Sequence, residues 1–237
     1  NTNAIVYASN AWSTSVPGGP AISAWLTYRV HRSWGASTGV CGWFFVVSGA
    51  LSTVWMALIG VAAVVFLGAE LSPATLGLSL GGAVAIMAAV FWGIMHPAAL
   101  KRWTPTRVHS LIDQVAAIRI SPGSFALAAL FSLLNRLFDV LTLLLCAAAV
   151  TDSRLSVSAI CLAFIMTKLA GAAQITPGGV GTVEPVAVAM LVAGGFSLSD
   201  ATATTLIYRL ISFALITAIG WVVYATTYAR MGLGLRS

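Results

Sequence analysis

Charged residues are nearly missing from this chain, at 8% of 237 residues against about 25% in an ordinary soluble domain. That scarcity excludes a soluble fold of this size, because too few charges remain to cover its surface and large apolar patches would drive aggregation. No charged stretch is long enough for a second folded unit, so residues 1–237 read as one transmembrane domain. Cysteine is also scarce. Cys41, Cys146 and Cys161 all sit in apolar stretches without metal-like spacing, which predicts buried, unpaired thiols and no metal site. Enzyme signatures are absent: there is no P-loop, no HExxH and no GxSxG, and His31, His96 and His109 are scattered. No catalytic residue and no cofactor are expected. The first sixteen residues lack an initiator Met, a basic n-region and a signal-peptide pattern. They read as a chain beginning inside a structure, with one or more helices expected upstream.

What is present is apolar. Hydrophobic residues make up 59% of the chain and mean hydropathy is +0.96, which predicts an all-α, polytopic integral membrane protein. The formal charge of +6 does not imply nucleic-acid binding. Basic residues of membrane proteins collect in cytoplasmic loops beside anionic headgroups, and no basic run here is interleaved with aromatics.

About 20 apolar residues cross a hydrocarbon core of about 30 Å. Four segments qualify: Thr38–Leu67, Thr75–Met95, Phe125–Val150 and Ala201–Thr227, with Leu155–Gly171 borderline. The first is too long to stand upright and is expected to tilt or to break near Ser48-Gly49. The connection 97–122 predicts a cytoplasmic amphipathic helix around Thr106–Ile118, with Trp103 at headgroup level. Residues 5–33 and 172–196 fit neither span nor loop. Each is apolar but broken by Pro-Gly-Gly, leaving flanking helices of about half a bilayer, the length of re-entrant elements. With the Arg29 side cytoplasmic, Arg29, Arg32, Lys101, Arg102, Arg107, Arg119, Arg230 and Arg236 fall inside and Arg154 outside. That count requires 172–196 to turn back on itself.

The segment Gln174-Ile-Thr-Pro-Gly-Gly-Val-Gly-Thr-Val-Glu184 is the most informative. Pro177 ends a helix, and Gly178, Gly179 and Gly181 permit tight turns and close approach of a ligand. Freed amides at the next helix start suit an anion, and Glu184 sits in that helix's first turn. The plainer reading is a helix-breaking turn capped by Glu184. The earlier Ser13-Thr-Ser-Val-Pro-Gly-Gly-Pro-Ala-Ile-Ser23 echoes it, with Gly18 and Gly19 in the matching places. Paired interrupted segments point to a transporter's central site and to a possible inverted repeat.

Ionisable groups inside apolar helices usually face a partner or a cavity. Arg136 and Asp139, three apart on one helix, predict a structural ion pair. Lys168 and Arg209 are candidate ligands of an anion, and the sum of these groups with Glu184 leaves one surplus positive charge that a phosphate headgroup could balance. A Glu184–Arg209 salt bridge is the plainer alternative. Arg29, beside Tyr28, is a further phosphate candidate or an interfacial, snorkelling arginine.

Asn10-Ala11, Val16-Pro-Gly-Gly19, Pro177-Gly-Gly-Val-Gly-Thr-Val-Glu184, Gly195 and Arg209 together resemble the lysylphosphatidylglycerol synthase transmembrane-region family. The resemblance covers essentially the whole chain, and Pro-Gly-Gly-x-Gly-x-x-Glu is its most specific part. It implies an all-helical fold with re-entrant elements and a lipid-handling role in a bacterial inner membrane; synthase activity is not implied. With the surplus positive charge beside the paired broken helices, the expected function is a lipid transporter or flippase binding an anionic phospholipid or polyprenyl-phosphate headgroup in a midplane cavity. The expected partners are anionic lipids, with a homo-oligomer or an envelope-biosynthesis enzyme beside them. The alternatives are a non-transporting scaffold for cell-envelope glycolipid assembly, or a membrane-embedded transferase using Glu184 or Asp139 as base.

Overall fold

The computed structural model describes residues 2–67, 96–103, 122–151, 156–172 and 176–229, with positions 81, 85, 89, 92, 109 and 113 between them. Every regular element among the described residues is helical and no strand occurs. The helices are α1 (Thr2–Ser15), α2 (Gly19–Ser33), α3 (Thr38–Leu67), α4 (Pro97–Trp103), α5 (Pro122–Ala148), α6 (Val157–Ala172) and α7 (Val183–Ala193). A 3-10 turn at Pro177–Gly179 lies between α6 and α7. The last helix, α8 (Leu198–Tyr228), has an α-helical start, Leu198–Arg209, then a π-helical stretch, Leu210–Leu215. It returns to α geometry at Ile216–Val223 and ends in a second π-helical stretch, Tyr224–Tyr228.

Thr38–Ala63, Gly123–Ala148 and Leu198–Tyr228 are long and apolar enough to cross a membrane. At 26, 26 and 31 residues they run about 39–46 Å at 1.5 Å per residue, well beyond a core of about 30 Å. The protein is a multi-pass membrane protein, all-α as its composition requires. Of the two expectations for the first span, the break is overturned: α3 is helical straight through Ser48-Gly49. Gly49 has only open space beside it, so nothing forces a kink there. The expected span Thr75–Met95 and the amphipathic helix around Thr106–Ile118 fall largely outside the described residues.

The chain divides into two compact units, Asn1–Val30 with Asp139–Ser237, and His31–Phe138. In the first unit, Ile5 and Ala8 of α1, Leu26 and Val30 of α2, and Tyr228 form one buried cluster, flanked by Trp12 and Tyr224. α1 also lies along α8. Gly220 makes that approach possible, since a Cβ there would sit 2.8 Å from Ala11 Cβ and collide with the Tyr7 carbonyl. Thr14 and Thr217 share a hydroxyl contact of 3.0 Å, and Trp221 Nε1 donates to Ser15 Oγ at 2.9 Å. α6 packs on α7, where Gly194 leaves no room for a Cβ against Ala159. Ser197 caps α8 by accepting from the Asp200 amide at 3.1 Å, the usual way of satisfying an orphan donor at a helix start.

In the second unit, α3 carries Ser52, which accepts from the Arg136 guanidinium on α5. Lys101 on α4 pairs with Asp113 at 2.5 Å. The long helices bury few of their own apolar residues: Phe131, Phe138, Leu145 and Leu210 are each at least 60% exposed. Exposed apolar side chains of this kind are what lipid tails cover.

Candidate functional site

The loop between α6 and α7 is built by its glycines. Gly178, Gly179 and Gly181 have φ of 60°, 69° and 82°, the left-handed region that costs an L-residue about 1–2 kcal/mol. Pro177 opens the 3-10 turn, where the N–H it lacks would have no partner. Thr176 Oγ1 donates to the Val180 carbonyl at 2.7 Å and Thr182 Oγ1 to the Gly179 carbonyl at 3.0 Å. Glu184, in the first turn of α7, accepts the Gly181 N–H at 2.7 Å through Oε2. Its Oε1 accepts from Arg209 Nε at 2.7 Å, and Arg209 Nη2 donates to the Gly178 carbonyl at 2.9 Å. The plainer alternative for Glu184 therefore holds: it caps the turn and pairs with Arg209. One carboxylate and one guanidinium make three hydrogen bonds here, two of which tie the loop and the start of α7 to α8.

A second ion pair lies in the same unit. Asp139 Oδ2 pairs with Lys168 Nζ at 2.6 Å, and Asp139 Oδ1 accepts from the Tyr208 hydroxyl at 2.8 Å. The expected Arg136–Asp139 pair is thereby corrected. Spacing of three on one helix allows contact, but Asp139 has two donors from α6 and α8, while Arg136 donates to Ser52. Of the five groups summed above, Lys168 and Arg209 are each paired with a carboxylate, and Arg136 donates to Ser52.

Two cavities adjoin the loop. One, of about 310 Å³, is walled by both Pro-Gly-Gly breaks: Ser13, Thr14, Pro17 and Gly18 on one side, Thr176, Pro177, Gly178 and Gly179 on the other. Its described lining carries no charge. The other, of about 240 Å³, is lined by Asn10, Thr14, Thr167, Lys168, Tyr208, Arg209, Ser212 and Phe213, together with Gly171, Gly178 and Val183. Both cations line this cavity, whereas no described carboxylate does, their partners Asp139 and Glu184 included. An arginine has five N–H donors and a lysine three, more than these ion pairs occupy. The cavity thus presents donors to whatever enters it.

Pro177, Gly178, Gly179, Gly18, Lys168 and Arg209 are thus brought together around the two cavities. Gly181 and Glu184 act one layer back, by holding the loop. Gly19 is buried in the α1–α2 turn, where a Cβ would lie 2.6 Å from the Ser13 carbonyl oxygen. Arg29 lines neither cavity; its guanidinium sits 4.9 Å from the Trp25 ring centroid. Sequence reasoning missed Tyr208, Thr14, Ser212 and Phe213. Tyr208 carried a signal, a phenol next to an intramembrane arginine. A threonine or serine in an apolar helix carries none, since it can bond its own backbone, as Thr14 also does to the Asn10 carbonyl.

The family model for the lysylphosphatidylglycerol synthase TM region matches residues 3–220. The chain belongs to this family. No curated protein and no solved structure matches it. Among the residues that carry the family resemblance, Pro177–Glu184 and Arg209 form the fastened loop, and Val16, Pro17 and Gly18 line the larger cavity.

Proposed function

We propose that this protein is a lipid transporter of a bacterial inner membrane, which holds an anionic phosphate-bearing headgroup in the cavity below the Pro177–Gly181 loop while the tails stay in lipid. The observation that carries the reading is the cavity lined by Lys168 and Arg209 but not by their carboxylate partners Asp139 and Glu184. A phosphate there would meet two cations and the hydroxyls of Thr14, Thr167, Tyr208 and Ser212, within helices that otherwise face hydrocarbon. Intramembrane cations are costly and mark substrate paths. Helix lengths support re-entrant elements: α1, α2, α6 and α7 have 14, 15, 16 and 11 residues, about 17–24 Å and too short to span alone. The matching Pro-Gly-Gly breaks on facing walls of one cavity support an inverted repeat. The bias of Lys and Arg supports cytoplasmic basic loops and a cytoplasmic C-terminus.

The test is a proteoliposome flipping assay with labelled anionic and zwitterionic phospholipids. The wild type should flip the anionic lipid, and Arg209→Ala and Lys168→Ala should each slow it at least tenfold. Wild-type rates equal to those of protein-free vesicles would falsify transport, and variants as fast as a flipping wild type would overturn the Lys168 and Arg209 site. Lipid binding without flipping would point instead to an accessory subunit of an envelope-biosynthesis enzyme, with no transfer chemistry of its own.

A further inference from the structure

The two cavities are separate, yet both are lined by Thr14, Gly171 and Gly178. Gly178 thus stands on the wall that the two cavities share. That wall has no slack. A Cβ on Gly178 would lie 2.7 Å from Phe213 Cζ and 2.9 Å from the Thr14 carbonyl oxygen. Phe213 is therefore seated against the Gly178 Cα. Its ring also lies under the Arg209 guanidinium, 4.3 Å from ring centroid to Cζ, and Arg209 holds the Gly178 carbonyl. Phe213 belongs to the π-helical stretch Leu210–Leu215, a wider and less regular winding that is common at functional sites.

We infer that the two cavities are successive stations of one headgroup path, and that Phe213 packed on Gly178 is the divider that sets how large a headgroup passes between them. The inference rests on the lipid-path reading for what passes, but not for the existence of the divider. The station walled by the Pro-Gly-Gly breaks is polar and uncharged, and suits a hydrated headgroup on entry. The second station holds Lys168 and Arg209 and attracts its phosphate. An anion arriving at Arg209 competes with the Gly178 carbonyl for the guanidinium. It thereby loosens the contact that keeps Phe213 in place. A divider that opens through the substrate's own charge needs no separate trigger.

Two measurements test this, and they fail independently. In a background with Cys41, Cys146 and Cys161 changed to Ala, Ser13→Cys reports on the first station and Ser212→Cys on the second. A polar thiol reagent is added on the side from which Ser13→Cys reacts. Ser212→Cys should then react at least fivefold faster when Phe213→Ala is added, with Ser13→Cys unchanged. Equal rates for Ser212→Cys with and without Phe213→Ala overturn the divider. In vesicles, Phe213→Ala should shift the flipping ratio of phosphatidylinositol to phosphatidic acid at least fivefold toward the bulkier lipid, and Phe213→Trp should shift it the other way. Phe213→Leu, which keeps an apolar branched side chain there, should fall between and controls for loss of folding. An unchanged ratio overturns the size-setting role. Absence of any flipping, with the labelling difference intact, overturns the lipid reading and leaves the divider standing.

Discussion

At the scale of single residues, Arg209 joins three pieces of the structure. Its Nε reaches Glu184, its Nη2 reaches the Gly178 carbonyl, and its plane covers Phe213. A lysine carries the same charge but cannot reach two acceptors with fixed, forked donors. The Arg209 and Glu184 side chains are 14% and 25% exposed, so solvent screens the pair only partly. Arg209→Ala and Glu184→Ala should each lower unfolding stability by about 2 kcal/mol, and their double-mutant cycle should give a coupling of about 1.5–3 kcal/mol. Thermal unfolding in a single detergent measures it. A coupling near zero would mean that the two groups do not depend on each other. Sequence alone left two readings of Glu184 open because an anion site and a capped turn require the same residues. Glycines freeing the backbone, a proline ending the helix and an acid in the next turn serve either purpose. Only the direction of each carboxylate oxygen separates them, and no spacing rule encodes that.

At the scale of elements, the breaks were legible and the partners were not. Pro177 and the glycines after it announce a stop in any helix, and the structure has a 3-10 turn at Pro177–Gly179. Thr38–Leu67 was bounded correctly because hydropathy over thirty residues is a strong signal. The pairing of Arg136 with Asp139 was misjudged, since neighbours on one helix are visible in sequence whereas Lys168 and Tyr208 arrive from other helices. Gly220 gave no hint either. In an apolar span with many glycines, nothing distinguishes the one on which α1 rests. Gly220→Ala should therefore destabilise by about 1–3 kcal/mol through overpacking. Gly49→Ala, in open space on α3, should be neutral or up to about 1 kcal/mol stabilising. Melting both variants beside the wild type decides the matter; equal effects would mean that α1 and α8 can separate freely at that point.

At the scale of the whole molecule, many large apolar side chains among the described residues stand exposed, while the pairs Lys168–Asp139 and Arg209–Glu184 are mostly covered. Phe138 and Leu206 are 62% and 59% exposed, yet in a bilayer they should meet hydrocarbon. Phe138→Cys and Leu206→Cys should react with a polar maleimide at least tenfold more slowly than Ser33→Cys at the end of α2. Comparable rates would place those faces in water or against a water-filled path. The π-helical stretch Leu210–Leu215 has a consequence of its own at this scale. Before it, α8 turns Arg209 toward the loop; after it, Thr217, Gly220 and Trp221 face α1. The wider winding sets the phase between these two faces. Removing one residue from it would turn everything downstream by about 100° and draw it back by about 1.5 Å. The helix could then keep its grip on the loop or its seat against α1, but not both. The irregular turn is what lets one rod serve two partners at once.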